Sequence, residues 1–213
     1  SDHVGLAATI MPKESTIYMG RVDYDYLMTS VTGSHWEDMD KMFHSHGFPD
    51  DKIIELHTKN PARAFQVAGP FDAVKLEDGD KFTVGGYEFK CIYVPGHTPG
   101  NTCLYYEKDA LMFLGDHVLF DITPNITSWY GVRDSLSNYI ESLKKIRQYK
   151  METALPAHRN TKGINVYDRI DQLLVHHQER LKDTEKVVRM IPGSTAYEIA
   201  AYMKWQMRGK NWE

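Results

Sequence analysis

Phe82-Thr83-Val84-Gly85-Gly86-Tyr87-Glu88-Phe89-Lys90-Cys91-Ile92-Tyr93-Val94-Pro95-Gly96-His97 is the stretch that decides the fold of this 213-residue chain. Two runs rich in β-branched and aromatic residues flank Gly85-Gly86. A glycine pair there signals a two-residue hairpin, because it tolerates the positive φ angles of a tight turn. Pro95-Gly96 then stops the second run and hands the chain to His97. Thr102-Cys103-Leu104-Tyr105-Tyr106 and Ala110-Leu111-Met112-Phe113-Leu114, joined by Glu107-Lys108-Asp109, read as the next strand pair. The region from about Phe65 to Leu114 is thus a series of short strands, with polar, chemically capable residues at their ends. Loops on a rigid sheet are a common place for reactive groups.

Outward from this core the texture is helical. Residues 4–62 read mostly as helix and connection, with a short helix over Val4–Met11 and a strand over Ser15–Met19. Trp36, Met39, Met42 and Phe43 recur at helical spacing until Gly47 and Pro49 interrupt them, and Asp50–Thr58 predicts a further helix. Downstream, Leu136, Tyr139, Ile140, Leu143 and Ile146 form one apolar face behind Asp134 and Ser135 as caps. Thr153-Ala154-Leu155-Pro156 predicts a strand that delivers His158. A long amphipathic helix follows from about Val166 to Met190, ended by Pro192-Gly193. Thr195-x-x-Glu198 has the capping-box form and opens a last helix through about Met207.

Composition excludes several classes. Hydrophobic content of 42% and charged content of 25% are those of a globular domain. The 25 Lys/Arg against 29 Asp/Glu leave a formal charge of −4, which offers nothing to nucleic acid or an anionic membrane. No apolar run approaches the roughly 20 residues that cross a bilayer. Cys91 and Cys103 fall in strand-like runs and read as buried thiols, which suits a reducing, cytoplasmic setting.

Five residues carry the chemistry: Asp2 and His3 near the start, then His97, Asp116 in Gly115-Asp116-His117, and His158 in Ala157-His158. Imidazole and carboxylate together suit zinc, and also manganese or iron. Each residue alone has a plainer reading: a lone histidine is usually structural, and Gly-Asp is a common turn. Three of them directly following β-runs are harder to explain that way. The order Asp-His, His, Asp, His in this context resembles the metallo-β-lactamase superfamily of metal-dependent hydrolases, from Ser1 to at least His158. Gly96-His97-Thr98-Pro99-Gly100 resembles the glyoxalase II-like branch.

That resemblance implies an α/β fold, an αββα sandwich, with a metallo-β-lactamase-like domain over residues 1–163 and a C-terminal helical extension over 164–213. The family's first motif is His-x-His-x-Asp-His. Only its last three positions stand here, with Ser1 as the x. The resemblance therefore implies an N-terminally truncated piece that lacks two histidine ligands and the first strands, with apolar faces left open. It further implies two divalent metal ions, zinc by default. Asp2, His3 and His158 would hold one, His97 the other, and Asp116 would bridge them, Asp2 and Asp116 being the catalytic carboxylates. The piece by itself is expected to bind one ion well, through Asp2, His3, Asp116 and His158. His44-Ser45-His46 has the His-x-His form but lacks the following x-Asp-His, and it ends a helical pattern where residues two apart diverge. His35 and His57 read as surface residues.

Substrate-facing candidates are His117 beside Asp116, Trp129 in the aperiodic stretch after it, Arg159 beside His158, and His177 on the long helix. The guanidinium fork of Arg159 suits a carboxylate or phosphate. The implied activity is attack by metal-bound hydroxide on a thioester, ester or related acyl bond of a small molecule. A nuclease of the same fold is an alternative. However, residues 164–213 hold eight Lys/Arg and seven Asp/Glu, and Lys204, Arg208 and Lys210 make only a modest patch, so a nucleic-acid partner is disfavoured. An iron-dependent sulfur dioxygenase stays open. A flavodiiron-type protein fits less well because Asp2-His3 is retained. No membrane partner is expected, and a homodimer is compatible with these features.

Overall fold

The computed structural model describes residues 2–12, 14–160 and 163–205; the readings placed on Ser1, Met207, Arg208 and Lys210 lie outside these. In chain order the first elements are α1 (Ala7–Ile10), β1 (Tyr18–Gly20), α2 (Arg21–Thr32), α3 (His35–Ser45), α4 (Asp50–Lys59), α5 (Pro61–Ala64) and β2 (Val74–Leu76). Four strands follow, β3 (Lys81–Val84), β4 (Tyr87–Tyr93), β5 (Thr102–Tyr106) and β6 (Leu111–Gly115). The remainder is α6 (Ser135–Ile146), β7 (Thr153–Pro156), α7 (Val166–Met190) and α8 (Ala196–Tyr202).

Gly85 and Gly86 take φ values of 58° and 85° and turn β3 back as β4. The sheet runs β3-β4-β5-β6-β7, antiparallel as far as β6, and β7 joins parallel to β6. That change of direction requires a crossover, which α6 supplies. Asp134 caps α6 by accepting from the Ser137 amide at 2.8 Å. Strand alternation divides the residues between two faces. Cys103, Tyr105, Met112 and Leu114 face Tyr139, Leu143 and Ile146 of α6 and Val166, Ile170 and Leu173 of α7, all in one buried core. Truncating a fully buried member such as Leu143 to alanine costs about 2–5 kcal/mol.

The other sheet face is aromatic. Phe89 lies 5.9 Å, ring centre to ring centre, from each of Phe82, Tyr106 and Phe113, and Tyr18 stacks on Phe82 at 4.5 Å. The short parallel pair β1–β2 lies beside it, lining with Phe82, Leu104 and Phe113 a hollow of about 190 Å³. Phe113 stays 40% exposed and Val84 51%, so one face of the sheet is helix-backed and the other is partly open.

Most expected elements form close to their predicted bounds. Helix α2 and strand β2 were not anticipated. Strand β1 starts at Tyr18, not Ser15, and α1 covers only Ala7–Ile10. The capping box forms as read, since the Glu198 amide donates to Thr195 Oγ1 and the Thr195 amide to Glu198 Oε2, but α8 stops at Tyr202. The helices after residue 164 do not stand apart. Helix α7 contributes to the core, and Tyr197 packs on Phe48 at 4.9 Å.

Candidate metal centre

Three strand ends and the opening turn converge on one point. Gly96, at φ 144°, follows β4 and lets the His97 loop lie against α6, where an added Cβ would come 2.4 Å from that of Tyr139. Gly115, at φ 55°, ends β6 and turns Asp116 inward, leaving it 9% exposed. His158 follows β7, and Asp2 and His3 lie in the turn before α1.

Asp2, His3, Asp116 and His158 each place one ligand-type atom within 4.8 Å of all the others. His3 Nε2 is 3.1 Å from Asp116 Oδ2 and 3.3 Å from His158 Nε2. His158 Nε2 is 3.2 Å from Asp2 Oδ2 and 3.4 Å from Asp116 Oδ1. His97 Nε2 lies 3.4 Å from Asp116 Oδ2, the oxygen that His3 also approaches. Asp116 therefore lies within ion-pair distance of His97 as well as of His3 and His158.

Burial by itself raises the Asp116 carboxyl, but hydrogen bonds and charge from His3 and His97 outweigh it and hold the group well below the carboxylate range. The same bond to Asp116 raises His3 against the pull of burial. His97 is drawn down by burial and lifted more by Asp116 and Asn125.

These donors fit a divalent cation on three observations. Asp116 Oδ1 is buried and makes no hydrogen bond, the 3.4 Å approach of His158 lacking the geometry for one. Nε2 atoms of His3 and His158 face each other, an arrangement that a shared positive charge stabilises. His97 Nδ1 lies 2.7 Å from the Asn125 carbonyl, so its N–H donates there and leaves Nε2, which shares a proton with Asp116 in the metal-free chain, as the nitrogen that would bind a cation in that proton's place. A backbone acceptor fixing the tautomer in this way is typical of metal-binding histidines.

The substrate-facing expectations divide. Trp129 is half-buried beside the site, its Nε1 donating to the His97 carbonyl at 3.1 Å and its ring edge-on to Tyr26. Arg159 is exposed beside His158, in the left-handed region at φ 67°. His117 and His177 are corrected: they are 0% and 7% exposed and present no surface to a substrate. Both rings meet Tyr139 edge-on, at 5.2 and 5.3 Å, because the residue after Asp116 and this position of α7 both turn into the core. His35 is also buried, against Tyr26 and Trp36, and His57 is paired with Asp40. The rejected His44 lies on α3 beside Asp50, 3.5 Å away.

Burial, with the charges of His176 and Arg180, pushes His177 down to about 4, and burial pushes His117 down to about 3. Below pH 6.5 the unfolded chain binds protons that these folded imidazoles refuse, so stability falls as pH drops from 6.5 toward 4. His177→Leu is expected to lessen that slope by roughly 1.4 kcal/mol per pH unit. Urea titrations of both proteins between about pH 7 and 4.5 check this; parallel stability curves would refute it.

Some site residues had no sequence signal. Asn125 and Asp23 touch the His97 loop across 28 and 75 or more residues, through contacts that no local spacing encodes.

A family model described as the metallo-beta-lactamase superfamily matches residues 1–158. An atrochrysone carboxyl ACP thioesterase from Emericella nidulans is 27% identical over 131 residues, 62% of this chain and 38% of the relative. A beta-lactamase-like protein 2 homolog from Caenorhabditis elegans is 27% identical over 124 residues, 58% of this chain and 39% of the relative. A metallo-beta-lactamase family protein from Thermus thermophilus superposes with a TM-score of 0.72 at 21% identity, covering 88% of this chain and 60% of that one. The chain spans about two fifths of the length of the two curated relatives and 60% of the solved structure. Among the described residues no helix is long and apolar enough to cross a membrane. With the family match spanning nearly three quarters of its length, this α/β chain belongs to the metallo-β-lactamase superfamily.

Proposed function

We propose that this chain carries the metal centre of a hydrolase acting on a thioester or related acyl bond. The convergence of Asp2, His3, Asp116 and His158 within 4.8 Å carries the reading, and the thioesterase named among the relatives supports the substrate class. Zinc is the proposed ion, and His97 with Asp116 would hold a second. A divalent ion bound here supplies a water whose pKa falls from about 15.7 toward ~7, and positive charge for the oxygen of the acyl group.

The chain's own residues set up the rest. Asp116 is a carboxylate at neutral pH because His3 and His97 hold it so, against burial. The Asn125 carbonyl keeps the proton of His97 on Nδ1. Asp2, exposed and with Oδ2 3.2 Å from His158 Nε2, would hold the ion through one carboxylate oxygen and offer the other to a released proton. Trp129 is pinned by its bond to the His97 carbonyl and walls the approach, and Arg159 is the anchor for an anionic substrate group.

A panel of acyl thioesters, lactones and RNA tests the proposal, assayed with the chelated protein and after addition of zinc, manganese or iron. Metal-restored thioester hydrolysis is the expected result. Metal-restored RNA cleavage without thioester turnover would overturn the substrate class.

A further inference from the structure

The His97 loop is gripped from a direction unrelated to the ligand set. Asp23 stands in the first turn of α2, where an acidic side chain ordinarily bonds its own helix amides; α2 has no side-chain cap. Both Asp23 oxygens go across to the loop instead. Thr98 Oγ1 donates to Oδ2 at 2.5 Å and the Gly100 amide donates to Oδ1 at 2.5 Å. The two bonds fall on the residues one and three places after His97, while Gly96, one place before it, is pressed against Tyr139.

The fit between helix and loop is tight enough to require glycine on both sides. A Cβ on Gly100 would lie 2.2 Å from the Asp23 amide nitrogen, and one on Gly20 would lie 2.9 Å from the Gly100 carbonyl oxygen. Asp23 is half-buried, and the loss of hydration raises its carboxyl above the usual range, a cost that the two donors offset in part. The remaining anchors of His97, the Asn125 carbonyl on Nδ1 and Trp129 Nε1 on its own carbonyl, come from the stretch after β6. Asp23 is therefore the one side chain among these anchors that ties the ligand loop to the helical segment between β1 and β2.

We infer that Asp23 is a positioning residue for the metal ligand His97: its carboxylate sets the loop so that His97 Nε2 meets Asp116 without reorganisation. The inference rests on the metal reading above. It predicts a change in metal affinity, not only in folding, when Asp23 is altered. Asparagine keeps an acceptor for the Gly100 amide and a polar partner for Thr98, whereas alanine keeps neither.

The test is cobalt(II) binding to the chelated 213-residue chain, followed by its visible absorption and by competition with a chromophoric chelator, for wild type, Asp23→Ala, Asp23→Asn, Thr98→Val and His97→Ala. Thermal melts of the metal-free proteins run alongside, so that affinities are compared well below each melting point. Asp23→Ala is expected to weaken cobalt binding about tenfold and to move the absorption toward that of His97→Ala. Asp23→Asn should stay within about threefold of wild type, and Thr98→Val should fall between the two. If His97→Ala changes affinity or spectrum while Asp23→Ala only lowers the melting point and stays at wild-type values, or if His97→Ala itself changes neither, the positioning role is wrong. If the wild-type chain gives no cobalt absorption, the metal reading itself fails, and the two failures are told apart. Thr98→Val replaces a hydroxyl by a methyl group and leaves the Gly100 bond, so it remains informative even if Asp23→Ala does not fold.

Discussion

Asp116→Ala is expected to weaken binding of a divalent ion by about 100-fold or more and to remove the hydrolysis that ion supports. The size of the effect follows from where the carboxylate stands. Among the described residues it is the only one within ion-pair distance of all three of His3, His97 and His158, at 3.1, 3.4 and 3.4 Å. Alanine leaves three imidazoles around a cation with one exposed carboxylate, Asp2, to balance it. The site is also half-shielded from water, so the missing charge is felt more strongly than at the surface. The metal-free protein should also lose some stability, because the pairs with His3 and His97 that hold Asp116 ionised are lost, so affinities are compared on folded protein. Chelator competition and elemental analysis on both proteins measure this. A variant that holds its ion as tightly as wild type would show that Asp116 is only a turn residue.

Gly96→Ala is expected to destabilise the chain by about 3 kcal/mol and to loosen His97 at the same time. Two independent costs act there. The backbone sits at φ 144°, a region L-residues rarely adopt, and the new methyl would lie 2.4 Å from Tyr139 Cβ and 2.6 Å from its Cα. Tyr139 cannot retreat. It is fully buried, its hydroxyl donates to the His117 carbonyl at 2.8 Å, and it contacts both His117 and His177. The loop must therefore lift, and His97 lifts with it. Guanidinium unfolding gives the first effect and metal affinity the second. Full stability with normal affinity would mean that the loop has slack this packing does not show.

What the residues disclose in advance follows their periodicity. The Gly85-Gly86 hairpin, the β5–β6 pair, the capped helix α6 and β7 all lie where alternation, turn glycines and caps put them, because those signals act within a few residues. Helix α2 was missed because its face is mixed: Arg21, Asp23, Tyr24, Asp25 and Tyr26 give no clean apolar stripe, and none of its residues is fully buried. Strand β2, three residues long, has too little length to show a pattern. At the site, the candidate ligands were legible because each follows a strand-ending turn or opens the chain beside an apolar run. The misread residues were histidines whose sequence neighbours say nothing about depth. His117 follows an inward-turned aspartate, and His177 sits on an α7 face that also carries Ile170 and Leu173 into the core. Arg169 shows a different limit. Its guanidinium donates to the Leu119 and Ile122 carbonyls at 2.7 and 2.8 Å and so steadies the stretch after Asp116, a contact made across 47 residues or more.

The central claim, that Asp2, His3, Asp116 and His158 form a metal site, is tested most directly by zinc titration of the chelated chain. Bound equivalents are counted by elemental analysis, and the donor atoms are read by X-ray absorption. One tightly held equivalent with nitrogen and oxygen donors and clear imidazole scattering is the expected result, since both cysteines are buried in the sheet and unable to contribute sulfur. A chain that retains no zinc after desalting, or retains it on sulfur, would contradict the account.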